Sequence, residues 1–142
     1  MTPQQRPGKS KQDYRTPPVF LEALKRYLSI KDFTIDLAAS PENAVTTPYY
    51  TEEQNSLMQS WNYGPWAFCN PPFAHIEPWV LKAVEEATRG AHIALLVPAS
   101  VGSNWWRDYV HEVAHVIFLN GRLAFMSDKP KWLYPKDTAI LL

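Results

Sequence analysis

The stretch Trp66-Ala67-Phe68-Cys69-Asn70-Pro71-Pro72-Phe73 constrains this chain most. Its first four residues are apolar throughout, as expected of a strand buried on both faces. The two prolines then end it abruptly, because each fixes φ and removes a backbone donor. The pattern recurs: Phe33-Thr34-Ile35-Asp36-Leu37 leads into Ala38-Ala39-Ser40-Pro41, and His92-Ile93-Ala94-Leu95-Leu96-Val97 into Pro98-Ala99-Ser100. The chain has 13 prolines among 142 residues, about twice the usual ~5%. Rigid corners are therefore a design element of this fold.

Helical periodicity separates these strands. Val19, Phe20, Ala23, Leu24, Tyr27 and Leu28 share a helical face. Thr16 is expected to cap that helix, with Pro17 and Pro18 in its first turn. A turn is expected at Lys31-Asp32. Glu42 to Tyr50 reads as irregular and Thr51 to Leu57 as a brief helical turn. Pro78 opens a helix through Trp79, Val80, Ala83, Val84 and Ala87 that stops at Gly90. Ser103 is expected to cap another, running through Trp105, Trp106, Tyr109, Val110 and Val113. His115 to Leu119 reads as a strand joined by an Asn120-Gly121 hairpin turn to Arg122-Leu123-Ala124-Phe125. A loop to Lys136 precedes a last strand, Thr138 to Leu142. Alternating strands and helices predict an α/β fold with a largely parallel sheet.

Composition narrows the function classes. Fourteen basic residues balance fourteen acidic ones, which excludes a uniformly basic DNA-coating protein but leaves room for a local patch. Residues 1–12 form an expected disordered basic arm carrying Arg6, Lys9 and Lys11, a solvated tail or a nucleic-acid contact; residues 13–142 are read as one domain. No run approaches the ~20 apolar residues of a membrane span. The opening residues lack the apolar segment of a secretory leader. One cysteine, Cys69, excludes an internal disulfide framework and suits a reducing compartment. No metal is expected: His111 and His115 are four apart but have no third ligand in view.

Ligands of open α/β sheets bind beyond the carboxyl ends of the strands. If the strands are parallel, the turns after Asp36, Cys69 and Val97 share one rim. The Asn70 to Phe73 turn offers aimed acceptors, the Asn70 side-chain oxygen and the Pro71 carbonyl, beside an aromatic face. That constellation suits a planar group bearing an NH2, although an Asn-Pro-Pro turn also occurs as plain loop chemistry.

Asn70-Pro71-Pro72-Phe73 resembles the catalytic motif of S-adenosylmethionine-dependent amino-methyltransferases. Four further segments are similar to the phage-type DNA N-6-adenine methyltransferase (Dam-like) family: Asp13 to Pro17, Asp36 to Ala44, Tyr49 to Leu57 and Phe118 to Phe125. The resemblance spans about Asp13 to Leu142. It implies a Rossmann-like methyltransferase fold, mostly parallel, with helices on both faces and an antiparallel C-terminal strand or hairpin. It implies S-adenosylmethionine as cofactor, DNA as substrate, and a monomer in the cytoplasm of a bacterium or phage-infected host. Asn70, Pro71, Pro72 and Phe73 are then catalytic. Tyr14, Thr16, Pro17, Asp36, Ala38, Ser40, Glu53 and Asn55 hold the cofactor. Arg122, Trp105, Lys9 and Lys11 touch DNA. The glycine-rich loop general to S-adenosylmethionine-dependent methyltransferases is replaced by Ala38, Ala39 and Ser40.

Plainer readings stand beside these: a turn-forming Asp36, a solvated Glu52-Glu53 pair, a surface Arg122, a core Trp105 or Trp106 and an inert Cys69. Three other functions stay open. The turn also suits methyl transfer to a protein glutamine or to guanine N2 in RNA. The chain could bind the cofactor or nucleic acid without catalysis, or serve as a scaffold in a phage particle.

Overall fold

The computed structural model describes residues 15–121, 123–125, 132–133 and 137–142. The readings placed on the N-terminal arm, Tyr14 and Arg122 fall outside these.

The first helix, α1, is Pro18–Leu28, and it ends at Ser29 in the left-handed region, φ 57°. Pro17, not Thr16, is its N-cap, and no side chain caps it. The strands β1 (Ile35–Asp36), β2 (Ala67–Cys69) and β3 (Ile93–Pro98) follow, with α2 (Glu77–Thr88) between the last two. The short helix α3 (Asn104–Tyr109) precedes β4 (Val116–Phe118), β5 (Ala124–Phe125), β6 (Trp132–Leu133) and β7 (Thr138–Leu141).

Five strands form one sheet in the order β1-β2-β3-β7-β4. β1 pairs with β2, and β2 with β3, in parallel. β7 runs antiparallel to both β3 and β4. The strands β1 to β4 therefore all point one way. Their carboxyl ends, at Asp36, Cys69, Pro98 and Phe118, lie along a single rim.

Alternation along the strands splits the core into two layers. Leu95, Val97, Cys69, Ala139 and Leu141 meet Val80 of α2 and Trp105, Trp106 and Val110 of the α3 region. Phe68, Ala94, Leu96 and Ile140 meet Leu21 and Leu24 of α1. Helices cover both faces, as expected.

Three expectations are corrected. Asn120-Gly121 does turn, with Gly121 at φ +85°, but it does not join a hairpin between β4 and the next strand. Ala124–Phe125, a strand as expected, pairs instead with Trp132–Leu133 in a separate two-stranded sheet, and Trp132–Leu133 lies in what reads in sequence as a loop. The edge of β4 is taken by β7, whose four residues are all buried, so it needs a covered slot within the sheet. The third helix ends at Tyr109 rather than Val113. Glu112 turns left-handed, φ 61°, to start β4. Ser103 is its N-cap without a side-chain bond, because its hydroxyl donates to the Ser100 carbonyl at 2.6 Å.

Candidate active site

Asn70 follows the last residue of β2 and is half-buried; Pro71 is buried. The two prolines keep the chain extended, with Pro72 at φ −63°, ψ 121°, before a 3-10 turn at Phe73–His75. This corner leaves the rim without joining α2. The Asn70 amide donates from Nδ2 to Thr16 Oγ1 at 3.0 Å. An amide whose nitrogen is so committed presents its oxygen on the other side of the same plane. Phe73 is half-buried and packs against both core layers.

Next along the rim, β1 ends in a loop tied back to itself. The Asp36 carboxylate is 2% exposed and accepts from Ala38 N at 3.2 Å and Val45 N at 3.0 Å. Its backbone bonds Pro48 O at 3.1 Å and Tyr50 N at 2.9 Å. The amide of Ala39 bonds Tyr50 O at 2.9 Å, and that of Ser40 bonds Asn43 Oδ1 at 2.7 Å. The small side chains of Ala38 and Ala39 are what let these strands of chain close up, and both are buried. Burial pushes the Asp36 carboxyl up to about 7, against the two backbone bonds that favour its charge. No cation pairs with it among the described residues. Burial, then the Asp36 charge, push the thiol of the neighbouring Cys69 well up, so it stays inert at neutral pH.

Beyond Tyr50 the chain turns through Glu52 to Gln54 into the 3-10 turn Ser56–Met58. Asn55 adopts the left-handed region, φ 52°; Glu53 and Asn55 are exposed. What holds this loop is Trp61, which is fully buried. Its Nε1 donates to the Ser56 carbonyl and hydroxyl, both at 3.0 Å. The Trp61 ring stacks on Trp79 at 5.9 Å and lies 5.9 Å from the Lys82 ammonium. Lys82 in turn pairs with Glu86 at 2.7 Å. Burial alone would raise the Glu86 carboxyl. Bonds from Lys82 and the Trp61 backbone N–H, with the charges of Lys82 and Arg89, outweigh it and hold Glu86 below its ordinary value. In sequence, Lys82 and Glu86 look like an ordinary surface pair on a helix; only the Trp residues hint at burial.

An apolar cavity of about 300 Å3 lies elsewhere, lined by Trp66, Val80, Ala83, Leu95, Tyr109 and Val113 among others. It includes Ala91 and His92, at the amino end of β3, away from the Asn70 corner. Among the described residues its walls carry no Asp or Glu side chain and none of the acceptors of the Asn70 corner. Among the described residues no cluster of three or more metal-ligating side chains occurs, and no helix is long and apolar enough to cross a membrane.

The profile of the DNA N-6-adenine-methyltransferase (Dam) family matches residues 4–137. The chain belongs to the Dam DNA N-6-adenine-methyltransferase family. It is 29% identical over 110 residues to a DNA N-6-adenine-methyltransferase of Escherichia phage T1, covering 67% of this chain and 46% of the relative. It is 25% identical over 107 residues to a DNA N-6-adenine-methyltransferase of Haemophilus phage HP1, covering 74% of this chain and 61% of the relative. The chain thus spans about half the length of the curated relatives it matches. No solved structure matches it.

In this Dam-family chain, the rim brings together Thr16, Asp36, Ala38, Ser40 and the Asn70 to Phe73 corner. Glu53 and Asn55 sit on the loop that leaves the same end of β1. Trp105 is 9% exposed, in the core, with its ring 5.6 Å from that of Trp106. A base has little of that ring to stack on. Sequence reasoning misses Trp61, Lys82 and Glu86 as supports of the site.

Proposed function

We propose that this chain transfers a methyl group from S-adenosylmethionine to N6 of an adenine in DNA, on a Rossmann-like methyltransferase fold. The observation that carries this reading is the Asn70 amide, held by Thr16 at the carboxyl end of a buried parallel strand, in a chain whose family is DNA N-6-adenine-methyltransferase.

The residues present suit the cofactor. It carries an ammonium, a sulfonium, a ribose diol and an adenine. Asp36 is a desolvated carboxylate with no cation beside it among the described residues, the environment in which a cationic ligand gains most. Glu53 and Asn55 supply a carboxylate for the diol and an amide for the adenine. Thr16, Pro17, Ala38 and Ser40 line the remaining approach, with Tyr14 as a further contact from outside the described residues. When bound, S-adenosylmethionine supplies a methyl group already activated for attack.

The protein's own part is alignment. Asn70 Oδ1 and the Pro71 carbonyl accept the hydrogens of the adenine N6 and offset positive charge as it develops there. Pro72 keeps those acceptors from turning into the next helix. The Phe73 ring stacks on the base, which must leave a duplex to reach this geometry, at a cost of a few kcal/mol. Neither acceptor needs an altered pKa and neither keeps the proton: once the N6–CH3 bond has formed and the S–CH3 bond has broken, the cationic N6 is acidic enough to release one proton to water. Lys9, Lys11 and Arg122 are assigned to phosphate contacts. The site acts in the bacterial or phage-infected host cytoplasm, as a monomer.

A tritiated methyl-transfer assay on DNA, RNA and protein tests the reading. Label is expected in DNA, recovered as N6-methyladenine on digestion. Label only in protein or RNA, or cofactor binding without transfer, overturns it.

A further inference from the structure

The carboxyl end of β4 carries an exposed aromatic ring that the proposed chemistry does not use. Phe118 is 61% exposed, although it closes a strand of the main sheet. Its ring stacks on that of Trp106, with centroids 6.0 Å apart and planes inclined by 15°. Trp106 is buried, with the Trp105 ring 5.6 Å away and tilted by 56°. One face of Phe118 is thus fixed by a buried partner, and the ring is held flat while most of its surface meets solvent.

Its place in the sheet gives that surface a purpose. β4 runs parallel to β2, so Phe118 stands on the same rim as Asn70. Three strand spacings separate β2 from β4 in the order β2-β3-β7-β4, or about 14 Å at ~4.8 Å each. That distance corresponds to about two to four nucleotides of a DNA strand, at ~3.4 Å for stacked ones and more when extended. Between these strands, Val101 in the turn after β3 is also 61% exposed. Phe73, Val101 and Phe118 thus each follow or close a strand whose carboxyl end lies on this rim. Among the described residues the other large exposed apolar side chains sit on separate elements: Val19 and Tyr27 on α1, Met58 on the 3-10 turn before Trp61, Tyr63 ahead of β2, Leu81 on α2 and Val113 after α3. One braced ring is the size of one base, far below the area of a stable protein interface.

We propose that Phe118, braced by Trp106, is a stacking platform for an unpaired base of the DNA strand flanking the target adenine. The proposal rests on the DNA-methyltransferase reading. The base slides onto the solvent face of the ring, and the platform sets the path of the strand without reading its sequence, since every base has a π-face.

Fluorescence anisotropy with a labelled single-stranded oligonucleotide, carrying the adenine site mapped by methylation sequencing, tests this. An abasic position is moved in turn through the nucleotides on either side of the adenine. Wild type is expected to lose about tenfold in affinity at one such position. Phe118→Ala is expected to bind the intact strand about tenfold more weakly and to be indifferent to that position; Phe118→Trp restores both. Equal sensitivity of wild type and Phe118→Ala at every position overturns the platform. So does a Phe118→Ala variant that binds DNA normally but has lost self-association on gel filtration, which makes the ring a subunit contact. Wild type that methylates normally alongside either result removes the platform alone; wild type that neither binds nor methylates DNA removes the underlying reading.

Discussion

The Asn70 Nδ2 amide donates to the Thr16 hydroxyl at 3.0 Å, across 54 positions of sequence. This bond joins the start of α1 to the end of β2 and decides which atom of the Asn70 amide is left to accept. Asn70→Ala is expected to abolish methyl transfer while cofactor affinity stays within a few-fold. Thr16→Val is expected to lower kcat about tenfold, the loss of one orienting hydrogen bond worth ~1.4 kcal/mol, with a smaller change in the cofactor KM. Initial rates and titration calorimetry separate the two. A Thr16→Val variant that changes only the cofactor KM would assign that hydroxyl to the cofactor instead.

Phe73→Ala is expected to lose more activity on duplex DNA than on the same sequence single-stranded. The duplex reaction includes unstacking the adenine, a few kcal/mol, and Phe73 returns part of it. Equal losses on both substrates would remove the ring from the flipping step.

Asp36 makes the protein pH-sensitive. Burial raises its carboxyl to about 7, from ~4 in an unfolded chain. Between those values the folded protein keeps a proton that the unfolded chain has lost. The Asp36 contribution to stability is therefore fullest below about pH 4 and falls as pH rises toward 7, by at most ~1.4 kcal/mol per pH unit. Asp36→Asn is expected to flatten that slope in denaturant titrations at several pH values. Affinity for the cationic cofactor is expected to rise with pH through about 7 in wild type and not in the variant. Proton release on binding, read by calorimetry in buffers of different ionisation enthalpy, checks the linkage.

Lys82→Met leaves the Glu86 carboxylate buried without its closest cation. A loss of about 3 kcal/mol is expected, and replacing Glu86 by Gln in the same chain should recover much of it. The bonds that Trp61 makes to Ser56 predict that the loop carrying Asn55 loosens in Lys82→Met. Hydrogen exchange over residues 55–58 should rise more than at β3. A uniform rise would deny the loop any special dependence on this pair.

Thr138 sits at the start of β7, fully buried, and its hydroxyl has no hydrogen-bond partner among the described residues. Thr138→Val keeps the shape and removes the orphaned group. It is expected to stabilise by about 1 kcal/mol, or about 3 °C in Tm for a chain of this size.

Much of this architecture is legible in the residues. β2 and β3 announce themselves as unbroken apolar runs because both of their faces are covered, and the prolines after them mark the rim. The partner of a strand is less legible. Asn120-Gly121 is a sound turn signal, yet β4 is captured by β7, because four consecutive buried residues compete better for its edge than the chain after the turn. Trp105, Trp106 and Phe118 look alike as aromatic letters; which of them is left in solvent depends on packing between α3 and β4, set by contacts distant in sequence. For the same reason Glu86 reads as a solvated helix residue until Trp61 folds over it. Thr16 has the right chemistry for a helix cap, and only the proximity of Asn70 shows where its hydroxyl goes.

The placement of β7 has a consequence for biosynthesis. β3 and β4 flank a slot that residues 138–141 fill. A nascent chain emerging from the ribosome therefore exposes two unmatched strand edges until Leu141 has been translated and has cleared the exit tunnel. The sheet cannot close before then, and in that interval β3 and β4 depend on chaperones or sheer speed to escape pairing with a neighbour.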